Sequence, residues 1–210
     1  MPGPDLDLAL IRKRFPSLAR TAADGRPFAF LDGPGGSQPP ETVIEAVAAH
    51  LGSCMANLGG AFATSRETDA TVDAARLAAA DLTGATPQEI AFGMNMTTLN
   101  FQLVHALART LSPGDEIVVT ALDHDANVSP WLLAAQDRDL RVRIAPLRPG
   151  DGTLDVDALE SLLGERTKVV AFPLASNALG TVPDARRVAA AAHRVGALAW
   201  ADGVHYAPHR

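Results

Sequence analysis

The sequence is short of cysteine and of long apolar runs, and each shortage excludes a class of protein. Cys54 is the only cysteine among 210 residues, so neither a disulfide framework nor a cysteine-rich metal site can form. No apolar run approaches the roughly 20 residues that cross a bilayer. The first residues also lack the basic and then apolar layout of a signal peptide. These absences predict a cytoplasmic protein that does not enter a membrane.

Basic residues are also few, and they are not clustered. The net charge is −6, and Lys13 and Lys168 are the only lysines among 18 basic residues. A protein that binds nucleic acid usually carries a basic patch, so this charge pattern indicates no nucleic-acid partner. A hydrophobic content of 47% is enough to build a substantial core in a chain of this length.

From about residue 85 onward, apolar runs of strand length alternate with helical patterns. Strands are predicted at 89–92, 116–120, 141–145, 168–173 and 198–201, and helices at 97–111, 129–136, 155–163 and 184–195. Leu99, Leu103 and Leu107 form one stripe of the first of these helices. Strands and helices that alternate on short turns predict a three-layer α/β/α fold with a mostly parallel sheet.

The first 85 residues follow a less regular pattern. We expect a short amphipathic arm at 5–20, a strand at 28–32, a glycine- and proline-rich loop at 33–40, and helices at 41–56 and 66–83. Gly84 should end the second helix. Helical spacing of Val43, Val47, Leu51 and Cys54 predicts that this face of the first helix packs against a core.

Polar segments follow the predicted strands, at the edge of a parallel sheet where ligands bind. Residues 93–98 lead directly into a helix, whose free N–H groups can bind an anion unless Thr97 merely caps the helix. Residues 123–131 place His124 between two acids, but a metal site would need further ligands. This segment is therefore either a ligand-binding loop or a surface loop without chemistry.

Two further strand ends carry polar side chains. Asn177 would point its amide into the crevice, unless it only completes a turn. Asp202 directly follows the last apolar run, and His205 comes three residues later. Because an unpaired buried carboxylate costs several kcal/mol, Asp202 favours a cationic partner such as a protonated pyridine nitrogen.

Taken in order, these segments resemble a fold-type I, pyridoxal-phosphate (PLP) enzyme of the class V aminotransferase family, and most closely its cysteine desulfurases. The matching segments are FLDGPGGS at 30–37, NMTT at 95–98, DHDAN at 123–127, SNALGT at 176–181 and ADGVH at 201–205. The resemblance implies an N-terminal arm and active-site loop at 1–40 and part of a PLP-binding large domain at 41–210. It also implies an amino-acid substrate and a homodimer.

The resemblance assigns cofactor contacts to residues at three of these segments. Met96 and Thr97 would bind the PLP phosphate through backbone N–H groups and the Thr97 hydroxyl. His124 would stack on the pyridine ring and transfer a proton as a catalytic residue. Asn177 would contact the ring oxygen or the substrate carboxylate.

The resemblance also assigns roles to the last strand end. Asp202 would pair with the protonated ring nitrogen, which keeps the ring an electron sink. His205 stands where the desulfurases usually have glutamine, near the ring hydroxyl. An imidazole can make that hydrogen bond, but it also titrates near neutral pH.

The Schiff-base lysine of the family falls beyond residue 210, and neither Lys13 nor Lys168 matches its position. The small C-terminal domain, its substrate-binding arginine and the sulfur-accepting cysteine also have no counterpart in these 210 residues. We therefore expect the intact protein to be a PLP enzyme that performs desulfuration or transamination, and this chain alone to be inactive.

Two other hypotheses remain at this point. The chain could be a non-catalytic fragment or pseudo-enzyme that serves as a binding or dimerisation module. It could also bind a nucleotide, although neither a P-loop nor the G-x-G-x-x-G order of a dinucleotide turn is present.

The missing lysine leads to a direct test. After the 210-residue chain is incubated with PLP and reduced with borohydride, a peptide map should show no cofactor-modified lysine at an active site, because neither lysine occupies the family's position. A modified lysine peptide from that site would contradict the expectation.

Overall fold

A computed structural model describes residues 6–209, which divide into two units between Ala91 and Phe92. Residues 1–5 and 210, at the two ends of the domains expected from the sequence, lie outside the described residues. The division expected at residue 40 stays a prediction. Each unit is taken in turn below.

The first unit is mostly helical. Its elements are α1 (Leu8–Lys13), α2 (Glu41–Ser53), α3 (Ala63–Thr83) and the 3₁₀ turns Pro16–Ala19, Gly33–Gly35 and Pro87–Glu89. Asp7 caps α1 by accepting a hydrogen bond from the Leu10 N–H at 3.0 Å. Gly84 follows α3 with φ 70°, a left-handed conformation that glycine adopts without steric cost. The predicted end of this helix at Gly84 is confirmed.

Three expectations for this part of the chain are wrong. Residues 28–32 form no strand: within the described residues the segment has no partner strand, and the rings of Phe28 and Phe30 contact each other at 4.9 Å. Residues 89–92 form no strand either, because Glu89 accepts hydrogen bonds from the N–H and hydroxyl of Thr86 and closes a turn. The face of α2 that was expected to pack against a core is about half exposed at Val43 and Val47, whereas Cys54, directly after the helix, is partly buried.

The second unit contains the alternating elements. They are α4 (Met96–Ala108), β1 (Glu116–Thr120), a 3₁₀ turn (Asp125–Asn127), α5 (Ser129–Arg138), β2 (Arg141–Ala145), α6 (Val156–Leu162), β3 (Thr167–Pro173), α7 (Ala185–Arg194), β4 (Leu198–Asp202) and a 3₁₀ turn (Ala207–His209). The predicted elements from residue 97 onward are confirmed, with ends that differ by at most three residues. Within residues 6–209, none of the helices is long and apolar enough to cross a membrane.

The four strands form one sheet in the order β2-β1-β3-β4, and every pair is parallel. Val118 lies opposite Val170 in the centre, and Pro173 lies opposite Asp202 at the end of β4. Because each strand returns through a helix, the helices cover both faces of the sheet.

The two faces carry separate hydrophobic clusters. On one face, Val118, Val170 and Phe172 pack with Leu159 of α6 and Val188 of α7. On the other face, strand residues Ile117, Val119, Val169 and Ala171 pack with Val104 of α4 and Trp131 of α5. The predicted three-layer α/β/α fold with a parallel sheet is therefore confirmed.

The parallel sheet also determines where the polar strand ends lie. The carboxyl ends of β1, β3 and β4 are all at one edge of the sheet. Because side chains alternate along a strand, Trp200 and Asp202 point to the same face. Trp200 packs against the cluster under α4 and α5, and its ring meets that of Trp131 edge-on at 5.3 Å. Asp202 thus lies on the α4 side of the sheet.

The core gives a paired stability test. Leu159 is fully buried, whereas Leu133 on α5 is 50% exposed. Leu159→Ala should lower the free energy of unfolding by about 2–5 kcal/mol because it leaves a cavity. Leu133→Ala, the same change at the surface, should cost about 1 kcal/mol or less. Urea unfolding measures both, and equal losses would contradict the assignment of the core.

Candidate functional site

The start of α4 leaves backbone donors without acceptors. The Asn95 side chain caps the helix and accepts a hydrogen bond from the Thr98 N–H at 2.8 Å. The alternative that Thr97 is the cap is therefore wrong. The first N–H groups of a helix have no acceptor within it, so those of Met96 and Thr97 point beyond the helix end. Together with the helix dipole, they favour an anion there.

Asp202 is held in place by its own turn. One carboxylate oxygen accepts a hydrogen bond from the Val204 N–H at 2.9 Å, and its backbone carbonyl accepts one from the Leu174 N–H at 2.8 Å. The described residues offer no hydrogen-bond donor to the second carboxylate oxygen. The Asp202 side chain is partly buried, and its second oxygen can therefore accept a hydrogen bond from a ligand.

Asp202 and the start of α4 open onto one cavity of about 190 Å³. The lining residues come from the first two turns of α4, the turn after β1 and the end of β4: Met96, Leu99, Asn100, Leu103, Asn127 and residues 200–204. The cavity thus places a carboxylate near the positive end of a helix, between apolar walls.

A chain of buried hydrogen bonds runs behind this cavity, and we name Trp200, Asn100, Asn127 and Asp123 the amide relay. Trp200 Nε1 donates to Asn100 Oδ1 at 2.9 Å, and Asn100 Nδ2 donates to Asn127 Oδ1 at 3.3 Å. Asn127 Nδ2 then donates to Asp123 Oδ1 at 2.8 Å. Asn100 and Asn127 are at most 4% exposed, so the amide relay rigidly connects β4, α4 and the turn after β1.

Asp123 is the acid at the end of the amide relay. Its second oxygen accepts hydrogen bonds from the Thr120 N–H at 3.1 Å and the Thr120 hydroxyl at 2.5 Å. Burial raises the pKa of Asp123 to about 6, and the negative charge of Asp202 acts in the same direction, against the lowering effect of these hydrogen bonds. Asp123 is therefore still ionised at neutral pH.

His124 directly follows this acid and begins the 3₁₀ turn. Its Nδ1 accepts a hydrogen bond from the Ala126 N–H at 3.0 Å, which leaves the ring proton on Nε2. The side chain is exposed. Nearby, Asp125 accepts a hydrogen bond from the Ser129 hydroxyl at 2.7 Å. Nowhere in residues 6–209 are three His, Cys, Asp or Glu side chains grouped to hold a metal ion.

Asn177 and His205 lie in the turns after β3 and β4. The hydroxyl of Ser176 accepts hydrogen bonds from the N–H groups of Ala178 and Leu179 at 3.3 and 3.2 Å, which fixes the turn around Asn177. The side chains of Asn177 and His205 are both partly buried. Their contacts with a cofactor stay predictions.

All six residues assigned from the sequence are at the same edge of the sheet, where β1, β3 and β4 end and α4 begins. Of these six, the cavity lining contains Met96 and Asp202. Thr97, His124, Asn177 and His205 are outside that lining.

The amide relay was missed by the sequence analysis. On α4 the fully buried stripe is Asn100, Val104 and Ala108, one position beyond the predicted leucine stripe, and Leu103 is 41% exposed. A polar residue in register with buried apolar residues is the signal that could have found Asn100, since a buried amide needs hydrogen-bond partners.

Comparison with known proteins gives consistent matches over nearly the whole chain. The family model for class-V aminotransferases matches residues 29–210. The cysteine desulfurase of Pectobacterium carotovorum subsp. carotovorum is 34% identical over 203 residues, which are 95% of this chain and 49% of that protein.

Solved structures give the same result. The cysteine desulfurase CsdA from Escherichia coli matches with a TM-score of 0.82 and 30% identity, over 98% of this chain and 51% of that one. The apo cysteine desulfurase from Thermococcus onnurineus NA1 matches with a TM-score of 0.86 and 25% identity, over 96% of this chain and 48% of that one. The chain spans about half the length of these relatives.

The raised pKa of Asp123 predicts a dependence of stability on pH. Between its ordinary value and about 6, the folded protein binds a proton that the unfolded chain has released, so the contribution of Asp123 to the unfolding free energy falls as the pH rises. The loss over this window is about 3 kcal/mol. Asp123→Asn removes this titration.

Urea unfolding of both proteins between pH 4 and 7 measures the difference. At each pH, the unfolding free energy of the variant is subtracted from that of the unaltered protein. This difference should fall by about 3 kcal/mol as the pH rises from the ordinary pKa of an aspartate to about 6. Parallel pH curves for the two proteins would contradict the burial of an ionised Asp123.

Proposed function

We propose that the whole protein is a PLP-dependent enzyme that acts on an amino acid, because the chain belongs to the aminotransferase class-V family. The observation that supports this proposal best is the shared cavity of Asp202 and the α4 N-terminus. A carboxylate at one side and free helix N–H groups at another match a ligand with a positive ring nitrogen and a negative phosphate.

The residues present fit PLP at both ends of the molecule. Asp202 has a carboxylate oxygen that can accept a hydrogen bond from the ring nitrogen, while its other oxygen is held by Val204. The N–H groups of Met96 and Thr97 can bind the phosphate, since the Asn95 cap occupies the N–H of Thr98 instead. When bound, PLP supplies an electron sink that stabilises negative charge at the substrate α-carbon.

The chain's own residues then have separate tasks. Asp202 holds a proton on the ring nitrogen by supplying the compensating charge. His124 carries its proton on Nε2, because Nδ1 already accepts a hydrogen bond from Ala126. We assign His124 the ring-stacking and proton-transfer role, and Asn177 and His205 the contacts near the ring oxygen.

We further propose desulfuration as the reaction, because the relatives that match nearly all of this chain are named cysteine desulfurases. Transamination is the second candidate, since the matching family model carries that name. A homodimer and a cytoplasmic location are part of the same proposal. The non-catalytic alternative would show PLP binding without turnover.

The test of this proposal is the removal of the Asp202 carboxylate in the full-length protein. Asp202→Ala should weaken PLP retention about tenfold or more, because the ring nitrogen loses its counter-charge. Turnover should fall on the order of 100-fold. Equilibrium dialysis and an activity assay measure the two effects.

Asp137→Ala serves as the control, since Asp137 is an exposed aspartate of α5. This variant should behave like the unaltered protein in both assays. Unchanged PLP retention and turnover in Asp202→Ala would refute the assignment.

A further inference from the structure

We propose that Asp123 is a positioning residue of the cofactor site, whose partly buried carboxylate fixes the turn carrying His124 and adds a second negative charge that favours a cationic ring nitrogen at Asp202. This inference rests on the proposed function, because it needs a pyridine ring at Asp202. Asp123 itself does not line the cavity.

The first part of the inference concerns the turn. Asp123 accepts hydrogen bonds from Thr120 at the end of β1 and from Asn127 at the end of the 3₁₀ turn, so one carboxylate ties together both ends of the segment. His124 lies between these two attachment points. The backbone carbonyl of His124 accepts a hydrogen bond from the Asn127 N–H at 2.8 Å, which further fixes the backbone of His124.

The second part concerns the charge. Every hydrogen-bond donor to Asp123 is neutral: a backbone N–H, a hydroxyl and an amide. Glu116, a buried carboxylate at the opposite end of β1, has Arg143 Nη2 at 3.2 Å and Arg166 Nη2 at 3.6 Å. Among the described residues Asp123 has no such cationic partner. Its charge is therefore uncompensated within the described part of the protein.

This charge lies close to the cavity. Asn127 lines the cavity together with Asp202, and its Nδ2 also donates to Asp123 Oδ1 at 2.8 Å. Among the described residues, the titratable groups near Asp123 are Asp202 from β4, and His124 and Asp125 from its own turn. The residue of α4 that reaches this turn is the neutral Asn100, which donates to Asn127. Burial is the main cause of the raised pKa of Asp123, and the negative charge of Asp202 adds a small contribution in the same direction.

Two carboxylates without a bound cation form a site that selects for positive charge. An asparagine has one acceptor oxygen, so it could keep the hydrogen bonds of either Thr120 or Asn127 but not both, and it would lack the charge. The hydrogen bonds hold the turn, and only the charge acts on a ligand in the cavity. If Asp123 only stabilised the fold, its hydrogen bonds would be enough. An effect of its negative charge on cofactor binding would show that Asp123 also acts on the cofactor.

The experiment compares two PLP analogues on the full-length protein. N-methyl-PLP carries a permanent positive charge on the ring nitrogen, and 1-deaza-PLP replaces that nitrogen with carbon. Equilibrium dialysis at pH 8 gives the ratio of their dissociation constants, a measure of charge selectivity that does not depend on turnover. Asp123→Asn should reduce the preference for the cationic analogue about tenfold.

Thr120→Val is the matched control, because it removes a hydrogen bond to the same carboxylate and keeps the negative charge. This variant should bind both analogues more weakly by a similar factor, and its charge selectivity should stay within about twofold of the unaltered protein. Circular dichroism checks that each variant folds, and Asp123→Ser replaces Asp123→Asn if that variant does not.

The outcomes separate this inference from the proposed function. If the unaltered protein binds neither PLP nor its analogues, the proposed function is wrong. If it binds PLP but Asp123→Asn keeps the selectivity, the inference is wrong and the function stands. If Thr120→Val lost as much charge selectivity as Asp123→Asn, the hydrogen bonds of Asp123 and not its charge would explain the effect, and the inference would be wrong.

Discussion

Parallel pairing of β3 with both β1 and β4 decides where the polar groups at the three strand ends lie. Parallel strands finish at one edge, so Asp123, Asn177 and Asp202 come together although up to 79 residues separate them in the sequence. The pairing persists because helices bury both faces of the two central strands, β1 and β3. The hydrophobic effect thus supplies the stability, while the direction of the strands supplies the geometry of the site.

Buried amides then fix the details that the apolar core leaves open. Apolar contacts tolerate small shifts, but an unpaired amide in the core costs about 1–3 kcal/mol. Asn100 and Asn127 satisfy each other and also bind Trp200 and Asp123, so α4, β4 and the turn after β1 are held in one arrangement. The same contacts that specify the packing therefore also hold the cavity wall and the turn of His124.

Much of the second unit could be predicted from the sequence, because local patterns and the environment agree there. The strands at 116–120 and 141–145 were predicted with the correct ends, since turn residues bound each run. The segments 28–32 and 89–92 look like strands locally, but a strand also needs a neighbouring strand. The sequence offered a signal for the burial of Asn100, but the hydrogen-bond partners within the amide relay could not be predicted, because they are up to 100 residues apart in sequence. Asp202 was found because a lone acid directly after an apolar run of strand length is already unusual in the sequence.

The shared cavity of Asp202 and the α4 N-terminus has one more consequence, which concerns the approach of a ligand rather than its binding. Two acids at one side and a helix N-terminus at another produce an electric field across the opening. A molecule with opposite charges at its two ends experiences a torque in this field and turns before it touches the wall. Fewer encounters then begin in the reversed orientation, so the strand ends also influence the rate of association.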